Sequence, residues 1–382
     1  MDKKYVCPRC GNKNSRYVGV IKGKKYCRLC VSFQGKNAPA YTANLHKNHF
    51  LNLDYKLSDE QERIALKIKN NFENNVNTLI HAVTGAGKTE LVYYSIILAL
   101  NQGKRVGFAI PRKDVVIEIT NRLKTAFPAS LITAVYGGEN HVLTGDIIIL
   151  TTHQLYRYKR FFDLLIFDEI DAFPYRDSII LPSFLLRSAR GAIIFLSATV
   201  NAADKANFKK QGGEVIELFH RYHGQPLPVP SIIQGWGLFR YWHLFWVMRL
   251  FFKSMDPVFI FVPTIAMAKK TFQFLNIFFK NGNYVHSQRT KRAKIINDFR
   301  HHHYRYLCTT SVLERGVTVD KLKVIVFNAD HYLFDQATLI QIAGRSGRKK
   351  VDPIGRVVFI SETISSAMKN AINDIREKNI GM

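Results

Sequence analysis

The sequence predicts an α/β protein, two tandem parallel-sheet domains preceded by a small four-cysteine module. Three observations predict it. Four of the five cysteines fall within the first thirty residues as two Cys-x2-Cys pairs. Short apolar runs then alternate with longer helical patterns, as they do where a sheet is covered on both faces. A proline-rich bridge, Gly224-Gln-Pro-Leu-Pro-Val-Pro230, splits that alternation into two series. The 382 residues suit this division, since domains run to roughly 150 residues each.

The N-terminal module comes first. Sixteen residues separate the pair Cys7 and Cys10 from the pair Cys27 and Cys30. A Cys-x2-Cys pair makes a tight knuckle whose backbone N–H groups face the sulfurs, and two knuckles at this spacing close a tetrahedral thiolate site for zinc. Arg16 to Ile21, Gly23 and Lys25-Tyr26 read as a short hairpin between them. Residues 1–35 are therefore expected to form a zinc ribbon. Two disulfides are the competing reading, which a cytosolic setting disfavours. Four thiolates leave no coordination position open, so the zinc is structural. A module this small needs the metal to fold. Its Arg9, Arg16, Lys22, Lys24, Lys25 and Arg28 suit a phosphate backbone, a protein partner or plain solvent. Residues 36–56, rich in Asn and His and without periodicity, read as a linker.

The first α/β domain is expected over residues 57–225. Ser58 is a candidate N-cap, and Ile64, Ile68 and Phe72, with Ala65 beside them, line one face of the helix that follows. Strand patterns then lie at Thr78–Val83, Val106–Ile110, Asp146–Leu150, Leu164–Phe167 and Ala192–Leu196. The second domain, residues 226–382, repeats the scheme with Val258–Val262, Tyr304–Cys308, Val324–Phe327 and Gly355–Ile360. All three tryptophans fall between Gly235 and Trp246. Base stacking is one reading; packing of a helix against the second sheet is the preferred one. His301-His302-His303 reads as a solvated turn, and Cys308 as a buried thiol.

Composition narrows the function. Hydrophobic residues make up 47% and charged residues 22%, as in an ordinary globular chain, which excludes a disordered or collagen-like protein. No run of about 18 uncharged apolar residues predicts a membrane span, and the N-terminus lacks a secretory signal. A cytosolic protein is expected, with a peripheral place at the inner face of the cell membrane compatible with its charge. That charge is +26, and residues 1–56 hold 12 Lys and Arg against 2 Asp. Such a chain attracts polyanions, nucleic acid foremost.

The Thr78–Val83 strand runs into Thr84-Gly85-Ala86-Gly87-Lys88-Thr89, ahead of a Leu- and Ile-rich helix. This is a phosphate-binding loop. Glycines let backbone N–H groups wrap a phosphate chain, Lys88 reaches the outer phosphates, and Thr89 is placed to ligate Mg²⁺. Ala82 stands where the strict pattern has its first glycine. A second strand delivers Asp168-Glu169-Ile170-Asp171 at its carboxyl end, where an open α/β sheet binds ligand. Asp168 would hold Mg²⁺ and Glu169 would orient the attacking water.

These motifs, in this order, resemble superfamily 2 helicases. Asp168-Glu-Ile-Asp171 is similar to their second motif and Ser197-Ala-Thr199 to the third. Phe261-Val-Pro263-Thr264 is similar to the fourth, Thr309-Thr310 with Glu314-Arg-Gly316-Val-Thr318 to the fifth, and Gln341-Ile-Ala-Gly-Arg345-Ser-Gly-Arg348 to the sixth. The resemblance implies two RecA-like domains, each supplying half of an ATP site. It implies that Gln61 reads adenine, that Gly316 and Asp320 lie near the nucleotide, and that Arg345 and Arg348 stabilise charge on the transferred phosphoryl group. Ser197 and Thr199 would couple hydrolysis to movement. Pro111, Arg112, Thr151, Thr264, Thr309 and Thr310 would hold a strand by its backbone. Thr318 stands where an Asp is frequent, and Asp320 is its nearest substitute.

A four-cysteine ribbon ahead of a compact helicase core is similar to the ComFA family of late-competence DNA-uptake ATPases. The resemblance implies an ATP-dependent translocase on single-stranded DNA that uses ATP, Mg²⁺ and Zn²⁺ during natural transformation. Its implied partners are ComFC, DprA and the membrane DNA-uptake channel. Only 34 residues follow Arg348, which favours translocation over processive unwinding. The alternatives are an RNA or primosomal restart-like helicase, and a zinc-ribbon adaptor with a nucleotide switch.

Overall fold

A computed structural model describes residues 5–40, 48–139, 141–170, 178–310, 319–347 and 355–380. Contacts divide the chain into two compact units, Met1–Ala82 with Gly87–Leu218, and Val83–Ala86 with Phe219–Met382.

The first unit opens with an antiparallel hairpin, β1 (Val18–Ile21) and β2 (Lys24–Cys27). Helix α1 (Asp59–Glu73) follows. Ser58 caps it, and Ile64, Ala65, Ile68 and Phe72 are buried as their spacing requires. Then come β3 (Thr78–Ala82), the short α2 (Lys88–Leu91), α3 (Tyr93–Asn101), β4 (Val106–Ile110), α4 (Lys113–Ala126), β5 (Ile132–Val135), β6 (Ile147–Thr151) and β7 (Phe162–Asp168). The unit ends with α5 (Leu181–Ser188), β8 (Ala189–Ser197), α6 (Ala202–Lys210) and β9 (Glu214–Leu218). Seven parallel strands form one sheet in the order β5-β6-β4-β7-β8-β3-β9. The inner strands β3, β4 and β6 are buried at every residue, which is why they read as continuous apolar runs.

The hairpin module is seated on this unit. The Phe33 ring lies 4.9 Å from Phe184 and 5.7 Å from Tyr156, edge to face. Tyr156 donates to the Gln34 carbonyl at 2.9 Å, Arg157 Nη1 to Lys36 O at 2.7 Å, and Arg187 Nη2 to Pro8 O at 2.7 Å. Cys7, Cys10 and Cys27 join the same buried cluster as Phe184 and Leu185. The described part of the linker is held likewise, with Ala38 N donating to Arg157 O and Asn52 N to Ala126 O.

The second unit contains β10 (Ser231–Gln234), α7 (Phe239–Lys253), β11 (Val258–Phe261), α8 (Ile265–Phe278), β12 (Gly282–Val285), α9 (Arg292–Arg300) and β13 (Tyr306–Thr309). It continues with β14 (Lys323–Phe327), α10 (Gln336–Ala343), β15 (Arg356–Ser361) and α11 (Ser366–Ile380). Six parallel strands lie in the order β10-β15-β14-β11-β13-β12. Cys308 is fully buried on β13, and burial raises its thiol pKa well above the ordinary value. His301–His303 form an exposed turn. The preferred reading holds for Tyr241 and Phe245, which pack against the core of the second sheet, but not for the tryptophans. Helix α7 packs through Leu244, Val247, Met248 and Phe251, while Trp236, Trp242 and Trp246 remain 76%, 57% and 47% exposed. A helix has one inward stripe, and here Leu244, Val247, Met248 and Phe251 fill it, flanked by the half-buried Tyr241, Phe245 and Phe252. No helix among the described residues is long and apolar enough to cross a membrane.

Candidate nucleotide site and cysteine centre

Parallel pairing brings the motif-bearing strand ends to one edge of the first sheet. Strands β7, β8 and β3 are neighbours, with Asp168 beside Leu196 and Ser197 beside His81. Asp168 with Glu169, Ser197 with Thr199, and the loop after Ala82 therefore leave adjacent strands at their carboxyl ends. Pro111 and Arg112 follow β4, and Thr151 ends β6, at the same edge.

The loop has the backbone that its glycines permit. Gly85 and Gly87 have φ of 87° and 78°, in the left-handed region. A methyl group on Gly87 would stand 2.6 Å from Gln61 Nε2, the end of a flexible side chain, so it is the left-handed φ that disfavours any other residue there. Thr89 is buried, and Lys88 Nζ donates to the Ala82 carbonyl at 2.9 Å. Glu90, one residue on, accepts from Tyr55 at 3.1 Å and pairs with Arg122. Burial and the Glu90 charge push the Tyr55 phenol up to about 12.

Gln61 has a structural task as well. Its N–H donates to Ser58 Oγ at 3.2 Å and its Oε1 accepts from Ser58 N at 3.0 Å, a complete capping box. The cap occupies Oε1, and Nε2 lies close to Gly87.

Glu169 has φ of 59°, which costs a non-glycine residue about 1–2 kcal/mol. Its N–H is tied to Leu196 O at 2.9 Å. Asp168 Oδ1 and Glu169 Oε2 are both shielded from solvent. Ser197 Oγ donates to Thr199 O at 3.0 Å and accepts from Thr199 N at 3.1 Å, closing the turn after β8.

In the second unit, Thr264 caps α8 by accepting from Met267 N at 3.2 Å. Thr309 is fully buried and donates to Thr310 O at 3.0 Å. Of the six strand-contact candidates, Pro111, Thr151, Thr309 and Thr310 are buried, whereas Arg112 and Thr264 are half-buried. Asp320 is half-buried too, and Arg345 is buried one residue beyond the Gly344 that caps α10. Gly316, Arg348 and Asp171 lie outside the described residues. Sequence reasoning missed Arg221, a fully buried arginine beside the proline-rich bridge, whose guanidinium donates to the carbonyls of Gly344, Ser346 and Gly347. Lying between two apolar stretches with no recognisable spacing, it left no signal in the sequence.

The four N-terminal sulfurs lie within 4.8 Å of one another, and Cys7–Cys30 and Cys10–Cys27 are both 3.7 Å apart. A tetrahedron with Zn–S bonds of about 2.3 Å has edges of about 3.8 Å, so the cluster fits zinc. Burial disfavours the Cys7 thiolate, but the backbone N–H groups of Cys10 and Arg9 outweigh it and bring the thiol down to about 7. Burial pushes Cys10 up to about 11. A metal cation at the centre is what such a desolvated thiolate set needs for its charge.

Known proteins resemble this chain in sequence and in fold. Residues 54–201 match the family model described as type III restriction enzyme, res subunit, and residues 243–350 match the helicase conserved C-terminal domain. The competence protein ComFA of Bacillus subtilis is 35% identical over 99% of this chain and 86% of its own length. That of Streptococcus pneumoniae is 32% identical over 98% and 90%. Among solved structures, Saccharomyces cerevisiae Dbp5 bound to RNA and ADP BeF3 superposes with a TM-score of 0.64. It covers 85% of this chain and 92% of its own at 16% identity, and so shows the shared RecA-like fold.

Proposed function

This chain belongs to the competence protein ComFA family, and on that premise we propose that it is an ATP-driven translocase on single-stranded DNA serving DNA uptake. That it is a competence-related, helicase-like ATPase follows from the family and its two helicase domains. The observation that supports its ATP-driven part is the meeting of the phosphate loop, Asp168–Glu169 and Ser197–Thr199 at one sheet edge, and the net charge of +26 supports a polyanionic track. In this reading Lys88 and the loop N–H groups bind the ATP phosphates, while Thr89 and Asp168 hold Mg²⁺, which neutralises developing charge. Glu169 orients the attacking water, and Arg345 with Arg348 stabilises the transferred group. Gln61, Gly316 and Asp320 complete the nucleotide site, and Arg112 and Thr264 offer the more accessible strand contacts. Zinc holds Cys7, Cys10, Cys27 and Cys30 together, and the exposed lysines of the ribbon add phosphate contacts. ComFC, DprA and the uptake channel at the membrane are its partners by family resemblance.

The test is ATP turnover by the full chain with and without nucleic acid. Poly-dT is expected to raise kcat more than poly-U does, and Lys88→Ala to abolish turnover. Turnover indifferent to nucleic acid refutes the translocase, and stronger stimulation by poly-U transfers the reading to RNA.

A further inference from the structure

Arg221 is the bulkiest fully buried side chain in the described protein, 2% exposed. A guanidinium stays charged at any physiological pH, and burying one is costly unless hydrogen bonds replace its water. Here main-chain carbonyls receive it. Nη1 donates to Gly347 O, and Nη2 to Ser346 O at 3.1 Å and to Gly344 O at 3.3 Å. Gly344 is the C-cap of α10, so the cation also meets the helix end where unsatisfied carbonyls and negative potential collect. His223 Nε2 lies 3.0 Å from Gly347 O. Its Nδ1 accepts from Gln225 N at 3.3 Å, which fixes the tautomer that donates from Nε2.

These bonds grip the peptide units on both sides of Arg345. Ser346 completes the grip, donating to Leu322 O at 2.5 Å and accepting from Arg356 N at 3.0 Å. The opposite flank of Arg221 faces residues 83–86, which belong to the same unit. A Cβ built on Gly85 would be 3.7 Å from Arg221 Cγ and Nε, and Tyr222 N donates to Gly85 O at 3.3 Å.

We propose that Arg221, assisted by His223, is a positioning residue for hydrolysis: it fixes the Gly344–Gly347 segment that presents the Arg345 guanidinium to the transferred phosphoryl group. The inference rests on the ATPase reading above and adds a residue to it. Three carbonyls around one planar fork require arginine, because a lysine ammonium is a point donor without the fork's fixed directions. Arg345 acts where charge develops in the transition state, so loss of its support falls on kcat and leaves ATP binding alone.

The experiment uses the full zinc-loaded chain with poly-dT and compares wild type with Arg221→Gln, Arg221→Lys and His223→Ala. It reads kcat, the KM for ATP, the Kd of a fluorescent ATP analogue, and folding by circular dichroism. Misplacing a stabilising group by about 1 Å costs roughly 100-fold in rate. Arg221→Gln is therefore expected to lose about 100-fold in kcat, Arg221→Lys about 10-fold and His223→Ala about 3-fold, with KM and Kd within about 3-fold of wild type. Should Arg221→Gln not fold, the lysine and His223 variants decide, since His223 is half-exposed and its removal spares the buried charge. Folded variants that turn over at the wild-type rate overturn the inference, as do variants whose KM and Kd rise in step with the loss of rate. Wild type without ATP turnover would sink the ATPase reading itself and this inference with it.

Discussion

Glu169 shows how much chemistry and how little conformation a residue's identity carries. Its place in Asp168-Glu-Ile-Asp171, together with the phosphate loop, marks it for water positioning. Its left-handed backbone, at φ of 59°, could not be read, because glutamate carries none of the signal that glycine or asparagine would. The β7–β8 pairing and the bond to Leu196 O impose that conformation, and strain imposed by surroundings is usual where function fixes a side chain. Two outcomes follow. Glu169→Gln keeps the side-chain shape and is expected to bind ATP normally while kcat falls by about 100-fold or more, as loss of a general base does. Glu169→Gly is expected to be more stable than Glu169→Ala by roughly 1 kcal/mol, reversing their usual order inside regular structure. Denaturant unfolding of the two proteins checks the second outcome. Equal midpoints would mean that the backbone relaxes.

At the scale of elements, legibility followed burial. The strands recognised in the sequence include every interior strand of both sheets. The four that escaped, β5, β9, β10 and β12, are the four sheet edges. An edge strand is covered on fewer sides and needs no unbroken apolar run, and β10 and β12 have only one fully buried residue between them. The cysteine spacing made the ribbon legible, but not its seat on the first α/β unit, which depends on Phe33 meeting Tyr156 and Phe184. Phe33 is half-buried, so truncating it forfeits less than the 3–5 kcal/mol of a core phenylalanine. Phe33→Ala is expected to keep its zinc, because the thiolates are untouched, and to loosen the seat by about 1–2 kcal/mol. Proteolysis should then cleave the segment around Lys36 several-fold faster than in wild type. Chelating the zinc should accelerate cleavage further, by unfolding β1 and β2. A Phe33→Ala protein cleaved at the wild-type rate would place the docking energy in the Arg157 and Arg187 bonds.

The whole molecule is governed by its charge. A net +26 was legible from composition alone, but composition does not say which cations meet a strand. Several are engaged within the protein: Arg221 with main-chain carbonyls, Arg157 with Lys36 O, and Lys323 with Asp256. Lys22, Lys24 and Lys25, at the tip of the ribbon hairpin, are exposed and close together in the chain. For a single strand, log K falls with log salt at a slope of about −0.7 per neutralised phosphate. If the protein neutralises about five phosphates, its affinity for oligo-dT falls roughly 100-fold between 50 and 200 mM salt. Replacing the three hairpin lysines with glutamine tests whether the ribbon belongs to that footprint. The expected result is a slope shallower by about 2 and weaker binding at low salt, with ATP turnover in the absence of DNA unchanged. An unaltered slope would remove the ribbon from the strand's path and leave its basic face for a protein partner. A slope near zero in wild type would overturn phosphate tracking, and with it the expectation that so basic a chain grips DNA by its backbone.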